Sequence, residues 1–134
     1  MNELNRKAMV LGNKLAPRMG GDRKAAFVQA WIIVKAQGLE VKAAGVSFGR
    51  SPVALDRLAR YAPSQVRAFI VPEPENPVDP KALRVMVGVQ GGRGLFPIGY
   101  IPRQAVPVVS VLRGLPAVRV VGDDVKGLRL RFAV

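Results

Sequence analysis

Apolar and polar positions along the chain change their period once. Up to about residue 38 they recur at three and four residues, the signature of helices with one buried stripe. Leu4, Ala8, Met9, Leu11 and Leu15 predict a helix over 3–15, stopped by Pro17 and the Gly20-Gly21 pair. Asp22 is placed to cap a second helix running to about Gly38, with Phe27, Ala30, Trp31 and Val34 as its inward stripe. Trp31 on that stripe reads as core. Neither helix can bury its own stripe, so the two are expected to form a hairpin that packs on something else.

The changeover falls near residues 38–42. From Leu39 to Phe48 small and β-branched residues predict an extended segment ending at Gly49. Ser51-Pro52 then reads as a helix start, with the proline at the first helical position, and the helix runs to Tyr61. Val53, Leu55, Leu58 and Ala59 are its expected inner positions, with Arg57 and Arg60 outside. Beyond Pro63 the period is two. Val66, Ala68 and Ile70 mark one strand; Leu83, Val85, Val87 and Val89 mark another, joined through a Gly91–Gly94 turn to Phe96, Ile98 and Tyr100. A helix is expected within Pro102–Leu112, against which Pro107 counts. Two last strands, 117–121 and 128–134, flank a turn at 122–127, and the final one alternates Leu128, Leu130, Phe132 and Val134 with Arg129 and Arg131. Short half-buried strands broken by glycine and proline predict a mainly β, α+β chain: a small barrel or curled sheet over 41–134, preceded by a helical segment over 1–40 that packs on it.

Composition narrows the chemistry. The 134 residues contain no cysteine and no histidine, which removes thiolate catalysis, cysteine-ligated metals and the commonest general base. Nine scattered carboxylates offer little for paired-acid hydrolysis, so the chain is expected not to be an enzyme. Asp123-Asp124 supplies too few ligands for a cation, and neither a metal nor a cofactor is expected. Gly91-Gly-Arg-Gly94 lacks the Lys-Ser/Thr ending of a phosphate-binding loop and joins two strands. Against the acids stand 21 Lys and Arg, a formal net charge of +12 that draws polyanions. No apolar run reaches the ~20 residues of a membrane span. The opening Met1-Asn-Glu-Leu-Asn-Arg-Lys-Ala lacks the apolar stretch of a secretory signal, so a cytoplasmic protein without membrane partners is expected.

One segment carries unusual constraint. Pro72-Glu-Pro-Glu-Asn-Pro-Val-Asp-Pro80 holds four prolines in nine residues, and Asn76 and Asp79 each precede a proline that keeps them extended. Two readings of those side chains stay open on the residues alone. They aim hydrogen bonds at a strand end or base edge, or they satisfy the turn's own backbone.

The run Glu73-Pro-Glu-Asn-Pro-Val-Asp-Pro-Lys-Ala-Leu-Arg-Val85, followed by Gly99-Tyr-Ile-Pro-Arg103, resembles the HIRAN domain pattern. Ala44-Gly-Val-Ser-Phe-Gly-Arg50 resembles that family's opening strand and turn, so the likeness spans roughly 41 to 134. It implies a small OB-like β-barrel that binds single-stranded DNA, especially a free 3′ end, and acts in DNA repair, replication or mobile-element biology. The chain resembles the free-standing form, which works without a helicase of its own and would meet a helicase or nuclease encoded separately. Carried over by position, Asn76 and Asp79 would contact the terminal nucleotide and Phe48 would stack on a base. Tyr100 and Arg103 would lie beside the strand, with Arg50, Lys81 and Arg84 as nearby cations. Val78 stands where an aromatic is usual and Glu75 where an Asn is common, changes that weaken stacking and end capture. A rival expectation is a protein-interaction adaptor, in which Trp31 and the Leu4–Leu15 stripe dock a partner; a large exposed apolar patch on those helices would favour it.

Overall fold

A computed structural model of the chain describes residues 2–44, 51–92, 94–112, 116–121 and 127–134. The first helix, α1 (Glu3–Leu15), is capped by Asn2, whose side chain accepts from the Asn5 N–H at 2.8 Å. The second, α2 (Arg23–Lys35), starts at Asp22, which accepts from the Ala25 N–H at 3.0 Å as the sequence predicts. Each cap satisfies a donor the helix leaves open and contributes about 1 kcal/mol. A 3-10 turn over Ala16–Met19 joins them, with Pro17 in its first turn and Gly20 and Gly21 at positive φ sending the chain back.

The helices do form a hairpin, but turned from the expected stripes. Ala8, Leu11, Gly12 and Leu15 of α1 face Ala26, Ala30, Ile33 and Val34 of α2. Leu4 and Met9 are exposed, and Phe27 and Trp31 are half-buried rather than core. Small residues decide this. A Cβ built on Gly12 would lie 2.6 Å from Phe27 Cδ1, so glycine is what lets the helices approach so closely. Large side chains are displaced to the rim. Helix α2 also ends earlier than expected, at Lys35, because Gln37 turns to φ 59° before Gly38.

Among the described residues six strands follow in two antiparallel sheets. β1 (Gly38–Lys42), β5 (Ala117–Val121) and β6 (Gly127–Ala133) form one, in the order β1-β6-β5. β2 (Val66–Pro72), β3 (Leu83–Val89) and β4 (Phe96–Tyr100) form the other, in the order β2-β3-β4. Helix α3 (Ser51–Leu58) lies between β1 and β2 in sequence, and α4 (Val106–Leu112) follows β4. Most of the period-two pattern faces the core as predicted: Val66 and Ala68, Leu83, Val85 and Val87, Ile98, and Leu128, Leu130 and Phe132 are all buried together, whereas Val134, expected on the same face, lies beyond the strand's end and is exposed. In α3 only Leu55 and Leu58 of the expected inner set are buried, while Val53 and Ala59 are exposed. A helix of eight residues makes barely two turns and can show the core little more than one i, i+3 pair.

The architecture is α+β, and it is not a closed barrel. The two sheets share one core but, among the described residues, are hydrogen-bonded to each other only through the Ala44–Tyr100 bridge. There the Ala44 N–H donates to the Tyr100 carbonyl at 2.7 Å and is answered at 2.8 Å. Toward Pro102 the ladder cannot lengthen, because that residue lacks an N–H, and the Ile101 N–H points to the opposite side, to the Leu83 carbonyl at 2.9 Å. On its other side β4 pairs with β3 through a ladder that shifts register between Val85 and Met86.

Helix α4 exists despite Pro107. A separate 3-10 turn over Arg103–Ala105 precedes it, which places the proline in the first helical turn, where no intrahelical N–H is required. Val108 of α4 joins the hairpin's core while Val106 and Val109 join the sheets' core. That short helix, with Leu39 of β1, which packs against both cores, ties the hairpin to the rest. Gly45–Arg50, Arg93 and the 122–126 part of the last turn, with Asp123-Asp124, lie outside the described residues. Among the described residues no helix is long and apolar enough to cross a membrane.

Candidate functional site

The proline-rich loop, 73–82, is closed at its base by the Glu73 N–H donating to the Ala82 carbonyl at 3.0 Å. Inside it the Asn76 carboxamide is fully engaged on its oxygen side: Oδ1 accepts the Val78 and Asp79 N–H groups at 2.9 and 3.0 Å. Its Nδ2 donates to Glu73 Oε1 at 2.8 Å. Asp79 Oδ1 accepts the Lys81 N–H at 2.9 Å, and the Asp79 carbonyl accepts from Ala82. Both side chains therefore build the turn, through bonds of the kind such residues commonly make to their own backbone.

Around this loop the residues singled out from sequence sort into two groups. In the first, Glu73 is the hub. It accepts from Asn76, from the Tyr100 hydroxyl at 3.1 Å and from Arg84 Nη1 at 3.4 Å, while the Arg84 guanidinium sits 5.6 Å from the Tyr100 ring centre. Tyr100 is held by its hydroxyl and covered on one face by a cation, which leaves it poorly placed as an open platform for a base. Arg84 Nε is buried in this group with no hydrogen-bond partner.

The second group is open. A cavity of about 750 Å³ lies between the loop and α4, lined by Val78, Asp79 and Lys81 on one side and Val106, Pro107 and Ser110 on the other. Pro72 and Leu83 complete the apolar lining, and Arg103 and Arg18 stand at its edge. Arg103 Nε is 3.5 Å from Asp79 Oδ2, an exposed pair on the arginine side (77% accessible) that solvent screens. Val78 is 82% exposed, an aliphatic side chain held out by a rigid loop beside three cations.

Of the residues predicted for the site, Asp79, Lys81 and Arg103 are brought together at this cavity. Asn76 and Tyr100 belong to the neighbouring Glu73 network. Phe48 and Arg50 lie outside the described residues. Arg18 was not singled out from sequence, and no local signal could have done so: it sits far back in the chain, between two helices, and only the docking of α4 on the hairpin brings it here. The arginines of β6 are occupied elsewhere. Arg129 pairs with Glu40 at 3.3 Å, and Arg131 Nη2 donates to the Ala36 carbonyl at 3.1 Å, where the α2 macrodipole favours a cation.

Chemically the cavity offers cations, an apolar lining and one carboxylate. Among the described residues no three acidic side chains gather to hold a metal. Comparisons with protein-family models, with curated proteins and with solved structures returned no match.

Proposed function

We propose that the chain is a non-enzymatic nucleic-acid-binding module that takes single-stranded DNA, or a DNA strand end, at the cavity between the 73–82 loop and α4. The observation that carries this is the lining itself: Arg18, Lys81 and Arg103 at the edge of an apolar pocket with Val78 projecting. Phosphates need the cations, while a sugar or base face needs apolar surface beside them. The formal charge of +12 supplies long-range attraction to the same ligand. The HIRAN-like motifs support the reading, with the two-sheet core as an opened relative of that family's barrel. In it the chain works on DNA in the cytoplasm, in repair, replication or mobile-element biology, alongside a helicase or nuclease encoded separately.

Amide chemical-shift mapping with a short single strand tests the site. The expected result is perturbation concentrated in 16–20, 78–83 and 103–110. Shifts confined to the outer face of the helical hairpin, or none at all, would overturn it.

A second reading, the protein-interaction adaptor, has one specific observation in its favour. Val28 of α2 is 55% exposed and lines one surface depression with Phe27 and Trp31, which also line a second one with Met9, while Ile32, likewise 55% exposed, stands one helical turn from Val28. Arg23 lies over the Phe27 ring and Lys35 over the Trp31 ring, so the border is basic and the occupant it fits is an acidic amphipathic helix. Trp31 is the only tryptophan, and its emission reports directly. A saturable blue shift on titrating such a peptide supports the adaptor; unchanged emission removes it.

A further inference from the structure

We infer that the cavity is a composite site in which Arg18, supplied by the helical hairpin, joins Lys81 and Arg103 to hold the terminal phosphomonoester of a nucleic-acid strand. This rests on the nucleic-acid reading of the same cavity and adds to it both the chemical group recognised and the element that recognises it.

Arg18 is rigidly presented. It belongs to the 3-10 turn Ala16–Met19, whose backbone is restrained by Pro17 and which is anchored by the buried Leu15 and Ala16. Those two share a core with Val108 of α4, while Pro107 and Ser110 on the same helix line the cavity. The turn that carries the cation is thus packed against the helix that forms the pocket's wall. Among the described residues neither Arg18 nor the Lys81 ammonium has an ion-pair partner.

Charge then decides the ligand. Three cations face one carboxylate, and Asp79 already offsets Arg103 at 3.5 Å, so a formal excess of two remains. A phosphodiester inside a strand brings one negative charge. A terminal phosphomonoester brings about 1.5 to 2 at neutral pH and three acceptor oxygens, which matches the excess. The Ser110 hydroxyl donates to the Val106 carbonyl at 2.6 Å. It is therefore spent as a donor and can only accept, so the phosphate's hydrogen bonds fall to the three cations. The apolar lining of Pro72, Val78 and Pro107 is left for the sugar and base behind the phosphate.

The test is fluorescence anisotropy with one single-stranded sequence in three forms: 5′-phosphorylated, 3′-phosphorylated and hydroxyl at both ends. Wild type, Arg18→Ala and Arg18→Lys are compared, with free deoxyadenosine monophosphate as competitor. Arg18 is exposed, so its replacement leaves the core intact. The expected result is that one phosphorylated form binds wild type about tenfold tighter than the hydroxyl form, as one added charge-assisted contact allows. Arg18→Ala should shrink that preference to within about twofold, and Arg18→Lys should keep part of it. Equal binding of all three strands by wild type, or an equal loss for all three on Arg18→Ala, would overturn the assignment while leaving nucleic-acid binding in place. Absence of binding by every strand would remove the nucleic-acid reading as well. Competition by the free nucleotide at the strands' own concentrations would assign the pocket to small nucleotides and overturn the strand end as its ligand.

Discussion

The Tyr100 hydroxyl donates to Glu73 Oε1 at 3.1 Å and so fastens the end of β4 to the start of the proline-rich loop. A residue positioned by resemblance as part of the binding surface is thereby engaged in holding the loop's shape. Tyr100→Phe removes that bond while Asn76 and Arg84 still reach Glu73. The expected outcome is a loss of about 1 kcal/mol in urea denaturation, with single-strand affinity unchanged at conditions where both proteins are folded. A variant of native stability that binds markedly worse would return Tyr100 to the site.

Salt dependence measures how many cations take part. With Asp79 already offsetting Arg103, the pocket's formal excess of two neutralises about two phosphate charges, so the logarithm of the association constant should fall against the logarithm of salt with a slope of about −1.4 for a single strand. Replacing any one of the three by Ala should flatten the slope by roughly 0.7. A slope unaffected by all three substitutions would place the strand elsewhere on the molecule.

Asp79 has two tasks that separate cleanly. Asp79→Asn keeps an acceptor for the Lys81 N–H but withdraws the charge opposing Arg103. Stability should change little and single-strand affinity at low salt should rise several-fold, the gain fading as salt screens it. Asp79→Ala loses the turn bond too and should cost about 1 kcal/mol of stability. Were Asp79 itself a ligand-contacting acceptor for a terminal hydroxyl, Asp79→Ala would instead abolish the binding.

Gly12→Ala reverses an ordinary expectation. In an exposed helix the change stabilises by about 1 kcal/mol. Here the new Cβ would lie 2.6 Å from Phe27 Cδ1 and 2.9 Å from its Cγ, so the ring or the helix must move. A net loss of about 1–3 kcal/mol is expected in thermal or urea unfolding. A stabilised variant would mean that the Phe27 ring swings outward freely.

What could be read from residues alone was local. Period-two alternation in 66–72, 83–89 and 128–134 identified strands and their inner faces, because successive side chains on a strand must alternate whatever the strand pairs with. Asp22 could be read as a cap, since a carboxylate there meets an open helix donor with no help from elsewhere. The loop's rigidity followed from its prolines. Facts that depend on which elements meet were not readable. The hairpin turned its small residues inward because Gly12, Ala26 and Ala30 permit close approach, and that displaced Trp31 and Phe27 from the core the pattern had assigned them. Among the described residues the two sheets meet in one bridge, Ala44–Tyr100, and Pro102 beyond it lacks the N–H a longer ladder would need on that side.

The division runs through the candidate site as well. Sequence by itself determined that Asp79, Lys81 and Arg103 lie on or beside constrained segments of a basic, histidine-free chain. Only the tertiary structure decided that Asn76 and Tyr100 are bound up with Glu73 and that Arg18 stands at the same pocket. The physical reason is that periodicity and turn chemistry act over a few residues, whereas a pocket's charge is summed over side chains that burial of a common core brings together from distant parts of the chain.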